Sequence, residues 1–91
     1  NLSFERPDTN TFKNLALAYK AMNLGGNAAC VLNAANEVAV EGFLNDKIGF
    51  LNMSDLIDNC LERINFVKNP SLEDLIESDK ETRFLAKKLL K

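Results

Sequence analysis

The sequence predicts an all-α domain, a bundle of about four helices behind a short extended lead-in, and three observations carry that reading. Apolar residues recur at three- and four-residue spacing in successive blocks. Gly25-Gly26, Asn45-Asp46-Lys47 and Pro70-Ser71 separate those blocks at helix-length intervals. Beyond a brief alternation at Leu2 and Phe4, no segment alternates apolar and polar residues as a half-buried strand would.

Residues 1–10 read as an extended linker, because Pro7 and the turn formers around it disfavour helix, and residues 11–91 read as the bundle. The first helix is expected from about Thr11 to Leu24, with Phe12, Leu15, Tyr19 and Met22 facing inward and Gly25-Gly26 as the stop. The second, from Ala28 to Leu44 behind Asn27 as cap, carries Val31, Ala35, Val38 and Ala39, widened by Leu32, Phe43 and Leu44. Apolar and small residues cover most of its circumference, which marks it as the central helix.

Ile48-Gly49-Phe50-Leu51 is too short for a helix and reads as a connector pinned to the core by Ile48 and Phe50. Ser54 is the expected cap of a third helix whose stripe is Leu56, Ile57, Cys60, Leu61 and Ile64. Ser71 opens a short helix with Leu72, Leu75 and Ile76. Asp79 then caps a last helix to Leu90, with Thr82, Leu85 and Leu89 inward, Phe84 beside them, and Lys87 and Lys88 at the negative end of its dipole.

A chain of 91 residues is one domain, large enough for a single modest core. Its 11 basic and 13 acidic side chains are interspersed, with no basic stripe to displace counterions from phosphates, so nucleic acid is excluded as a partner. No run approaches the length that spans a bilayer, and no signal peptide is recognisable, so a cytoplasmic protein without membrane association is expected. Asn1 does not read as a natural start. That points to a piece of a longer chain rather than to the alternative, a self-standing helical protein-interaction module.

The chain has no histidine, which removes imidazole-dependent triads and the usual neutral-pH general base. With only Cys30 and Cys60 alongside, no zinc ligand set of soft and imidazole donors forms, and both cysteines read as reduced core side chains. Glu73, Asp74, Glu77 and Asp79 lack calcium-loop spacing and read as acids at helix N-termini. Gly25-Gly26-Asn27 precedes a helix without the fuller phosphate-loop pattern and reads as a tight turn. No catalytic, cofactor-binding or metal residue is expected here.

The unusual feature is Asn33, Asn36 and Glu37, three polar residues on one side of the helix expected to be most buried. They are expected to satisfy backbone groups of a neighbouring connector, either residues 1–10 or 47–52. The string Leu32-Asn33-Ala34-Ala35-Asn36-Glu37-Val38-Ala39-Val40, then Phe43-Leu44 and Ile48-x-Phe50, resembles the C-terminal region of 1-deoxy-D-xylulose 5-phosphate (DXP) reductoisomerases. The resemblance extends upstream through Leu2-Ser3-Phe4-Glu5-x-Pro7-Asp8, Phe12-x-x-Leu15-x-Leu17-Ala18 and Gly25-Gly26. It covers most of residues 1 to 54; beyond that only helical character and a closing charged helix agree.

The resemblance implies a parent enzyme of non-mevalonate isoprenoid biosynthesis, a homodimer that converts DXP to 2-C-methyl-D-erythritol 4-phosphate with NADPH and Mg or Mn. It implies that this chain is the parent's C-terminal structural domain, partnered by the catalytic and NADPH-binding domains of the same polypeptide. None of the family's catalytic, metal or nucleotide residues maps onto a position here, and Asn33, Asn36 and Glu37 are a structural signature. On this reading the isolated piece is not an enzyme and holds no cofactor.

Overall fold

A computed structural model describes residues 9–90, and among these it contains four α-helices and no strand. They are α1 (Thr9–Leu24), α2 (Ala28–Leu44), α3 (Met53–Arg63) and α4 (Leu72–Leu89), with a 3-10 turn at Phe50–Asn52 leading into α3. The expected extended lead-in lies, over residues 1–8, outside the described residues. Thr9 and Asn10 already belong to α1, two residues ahead of the expected start at Thr11.

α2 is the central helix and packs against α1, α3 and α4. Val31, Ala35, Val38 and Ala39 are buried as expected, joined by Ala28, Ala34 and Gly42. Against them pack Met53, Leu56, Ile57 and Cys60 of α3 and Ala86 of α4, with Leu17, Ile48, Leu61, Ile64, Leu85, Leu89 and Leu90 at the margins and Leu32 widening the core as expected. Full burial of one such side chain as Ile57 stabilises by roughly 1.5–3 kcal/mol. Gly42 is needed for close packing, since a Cβ there would lie 2.7 Å from Leu90 Cδ2 and 3.2 Å from Ile48 Cγ2.

The α1–α2 turn fixes how the first helix sits. Gly25 and Gly26 both have positive φ (70° and 56°), and the Gly25 amide closes α1 on Ala21 O at 3.1 Å. Beside this short turn Ala21 is fully buried, with half-buried Leu17 one turn behind it. The expected inward row is thereby corrected: Leu15, Tyr19 and Met22 are 51%, 59% and 71% exposed. The side chain of Phe12 is outside the described ones.

Three further expectations change. Phe50 does not pin the connector into the core; it lies 44% exposed, its ring tilted 59° against Phe43 at 5.7 Å, while Ile48 alone reaches inward. Phe43 and Leu44 are exposed rather than widening the core. Ser54 is not the cap of α3: the 3-10 turn runs straight into the helix, so Asn52 takes the N-cap position and Ser54 is buried as the second helical residue.

The last third is one helix, not two. Ser71 and Asp74 form a reciprocal capping box, Asp74 N donating to Ser71 Oγ (3.1 Å) and Ser71 N donating to Asp74 Oδ2 (3.0 Å). The second start expected at Ser78-Asp79 is absent because both side chains are engaged elsewhere: Ser78 by a buried tertiary hydrogen bond, Asp79 by Arg83. The inward row is Ser78, Thr82 and Ala86, flanked by Leu85 and Leu89, whereas Phe84 faces out beneath the Lys88 ammonium at 5.3 Å.

Candidate functional site

The polar cluster of α2 is on the surface rather than in the interior. Asn33, Asn36 and Glu37 are all exposed, because three helices cover one side of α2 and these residues lie on the other. Asn33 Nδ2 donates to Glu37 Oε2 at 3.4 Å, and Arg83 bridges α2 and α4, its Nη2 donating to Glu37 Oε1 at 2.7 Å and its Nε to Asp79 Oδ2 at 3.0 Å. Hydrogen bonds to Asp79 and Glu37 raise the guanidinium pKa further above its already high value. The Glu37–Arg83 pair links α2 to α4, and with so much of both partners in solvent it contributes little stability.

Backbone satisfaction, expected of Asn33 and Asn36, is carried out by Asn27. Read from sequence as a helix cap, Asn27 makes no side-chain cap bond and is 1% exposed. Its Nδ2 donates to Asn65 O (2.9 Å) and Ser78 Oγ (2.8 Å), its Oδ1 accepts from Val67 N (2.9 Å), and its own amide donates to Val67 O (3.0 Å). One side chain thus ties the α1–α2 turn, the α3–α4 loop and α4 together. No sequence spacing links position 27 to 65, 67 and 78, so only the assembled fold reveals it.

The same geometry disposes of an anion seat at the Gly25-Gly26 turn. The Asn27 amide is bonded to Val67 O and the Ala28 amide to Gly25 O at 3.0 Å, so these first donors are already used. Among the described residues no group of three His, Cys, Asp or Glu side chains is placed to hold a metal ion. Of the four acids expected at helix N-termini, Glu73 and Asp74 lie in the first turn of α4, Asp74 in the capping box, whereas Glu77 and Asp79 fall inside the helix, Asp79 on Arg83.

Both cysteines are free. Cys60 is fully buried, and that burial pushes its thiol up to about 11. Cys30, half-buried with Sγ 3.4 Å from Leu75 O, is also raised, by burial first and by the Asp79 carboxylate second. Neither is an activated nucleophile. No helix is long and apolar enough to cross a membrane among the described residues.

The described residues leave several open concavities of similar volume, and one of them is lined by Asn33 and Asn36 of the polar cluster. Between α1 and α2 lies a mainly apolar groove of about 410 Å³, walled by Ala18, Ala29, Leu32, Asn33 and Asn36 with Ile57 beneath. Sequence reading missed this surface because α1 carries two apolar stripes, and spacing does not say which one turns inward.

Comparison with known proteins places the whole chain. The family model described as the DXP reductoisomerase C-terminal domain matches residues 1–85. The chain is 53% identical over 90 residues to a DXP reductoisomerase of Bacteroides thetaiotaomicron and 50% identical over 90 residues to that of Bacteroides fragilis, covering 99% of itself and 23% of each relative. Among solved structures, a DXP reductoisomerase from Zymomonas mobilis in complex with NADPH superposes with a TM-score of 0.82 at 39% identity, over 100% of this chain and 24% of that one. The chain therefore spans about a quarter of the length of the relatives it matches. A self-standing interaction module is not favoured by these matches.

Proposed function

The chain belongs to the DXP reductoisomerase C-terminal domain family, and from that premise we propose that it is the non-catalytic structural quarter of such an enzyme. The parent converts DXP to 2-C-methyl-D-erythritol 4-phosphate in isoprenoid biosynthesis, with NADPH and Mg or Mn, and acts as a homodimer in the cytoplasm. Within it, residues 11–91 are the bundle domain and residues 1–10 its connection to the remainder. Its partners are the catalytic and NADPH-binding domains of the same polypeptide. The observation that carries this reading is the match of the whole chain to one quarter of an NADPH-complexed relative.

The residues of this chain do not suit NADPH or a divalent cation. The Glu37 carboxylate is held by a guanidinium, the first amides of α2 are bonded, and Asp74 and Asp79 of α4 are committed to its cap and to Arg83. No chemical step is assigned to them. Asn33, Asn36 and Glu37 serve the domain's packing and attachment.

The test has two arms. A chimera in which this chain replaces the matched quarter of the B. fragilis relative is expected to oxidise NADPH in a DXP-dependent manner. Calorimetry of the 91-residue chain with NADPH is expected to give no saturable heat. Saturable binding at micromolar concentration, or a folded chimera without activity, overturns the assignment.

A further inference from the structure

We infer that the domain is built in two parts: α2, α3 and α4 form a complete three-helix unit, and α1 is a strap that opens from it as one piece about Gly25.

Burial draws the division. Among the described residues, the buried core cluster is contributed by α2, α3 and α4, and α1 meets it with Leu17, which packs half-buried at the edge. Within residues 15–24 of α1, Ala21 alone is buried, and an alanine removes little apolar surface from water. The pairs from Lys20 to Asp58 at 3.3 Å and to Glu62 at 3.9 Å join exposed side chains and hold α1 weakly. A segment with few buried apolar contacts opens locally at a lower free energy than the whole fold.

The Asn27 clasp marks where the three-helix unit begins. Asn27 bonds Asn65 O, Val67 N and Ser78 Oγ, and Gly26 lies against Val67 O and the Phe66 ring, so both residues are anchored on the α3–α4 side of the molecule. Gly25, one residue earlier, has nothing within 4 Å of where a Cβ would stand. Its carbonyl stays with α2, accepting from Ala28 N at 3.0 Å, while its amide closes α1 on Ala21 O at 3.1 Å. The joint is therefore the rotation inside this one residue, and glycine's freedom in φ supplies it. Whatever lies ahead of α1 in a longer chain turns on this joint without disturbing the core of α2, α3 and α4.

Native-state hydrogen exchange of the 91-residue chain, read by NMR, tests the division. Amides of residues 15–24 are expected to share one protection factor, at least about tenfold below that of the core amides of α2, α3 and α4 yet above that of an unstructured peptide. Its dependence on urea is expected to be shallow, because the opening exposes α1 and little else. Leu17→Ala is expected to lower α1 protection several-fold further and to leave α2, α3 and α4 unchanged. Equal protection in all four helices, or a Leu17→Ala loss shared by all of them, makes the bundle one cooperative unit and overturns the inference. A steady rise in protection from Thr9 to Leu24 is fraying from one end and overturns it too, as does α1 protection that Leu17→Ala leaves in place.

Discussion

Replacing Asn27 by alanine removes three side-chain hydrogen bonds from a residue that is 1% exposed. Each contributes about 0.5–1.5 kcal/mol net, and a buried partner left unpaired costs about 1–3 kcal/mol. Ser78 Oγ is the most enclosed of those partners, Ser78 being 5% exposed, whereas Asn65 is exposed and its carbonyl recovers water. The sum is a loss of about 3–4 kcal/mol, a large share of the roughly 5–14 kcal/mol expected of a domain this size. Urea unfolding of the 91-residue chain followed by circular dichroism should show a lowered midpoint at unchanged m. A cycle with Ser78→Ala apportions the effect: the double variant should be less destabilised than the sum of the singles, because Ser78→Ala removes one of the same bonds. A loss below about 1 kcal/mol, or strict additivity, would refute the view that this side chain holds the turn, the loop and α4 together.

Three other outcomes follow from single sites. Gly26→Ala should destabilise more than Gly25→Ala: both need positive φ, costing about 1 kcal/mol for alanine, but a Cβ at Gly26 also collides with Val67 O and crowds the Phe66 ring at 3.0 Å, whereas Gly25 has nothing within 4 Å; equal midpoints in urea would contradict this. The Thr82 hydroxyl is buried without a hydrogen-bond partner, so the near-isosteric Thr82→Val should be neutral or stabilising by up to about 1 kcal/mol, and a clear loss of melting temperature would show that the hydroxyl is bonded after all. Cys60 keeps its proton up to about pH 11 when folded against an ordinary value of 9.0, so the unfolded chain releases that proton first and the Cys60 contribution, whole below pH 9, is lost as pH rises from 9 towards 11; the midpoint difference between wild type and Cys60→Ala should shrink over that window.

How much of this was legible depended on whether a signal was local. The α2 core face, the α3 stripe and the Ser71 cap depend on neighbours within a turn or two, and spacing placed them. The facing of α1 did not yield to spacing, because Leu15, Tyr19 and Met22 form as regular a stripe as Leu17 and Ala21; the turn and its glycines decided between them. Ser78-Asp79 looked like a helix start because its side chains suit a cap, and only Asn27 and Arg83, distant by 51 and 4 positions, divert them. Asn33, Asn36 and Glu37 were legible as a group on one side of a helix, but the expectation that they were buried came from treating an apolar helix as covered on every side by its own domain.

That last point joins the sequence signature to the groove. The Leu32–Val40 string answers to two surfaces at once: Ala34, Ala35, Val38 and Ala39, with Leu32 at the margin, to the core within this chain, and Asn33, Asn36 and Val40 to the outward side. Were the outward face only solvated, lysine and glutamate would serve as well there and would raise helix propensity. Were it only a hydrophobic contact, leucine in place of asparagine would strengthen it while also favouring pairing between copies and other apolar surfaces. An asparagine amide at the wall of an apolar groove penalises any occupant that leaves it unpaired, so it trades affinity for selectivity towards a partner with peptide groups in register.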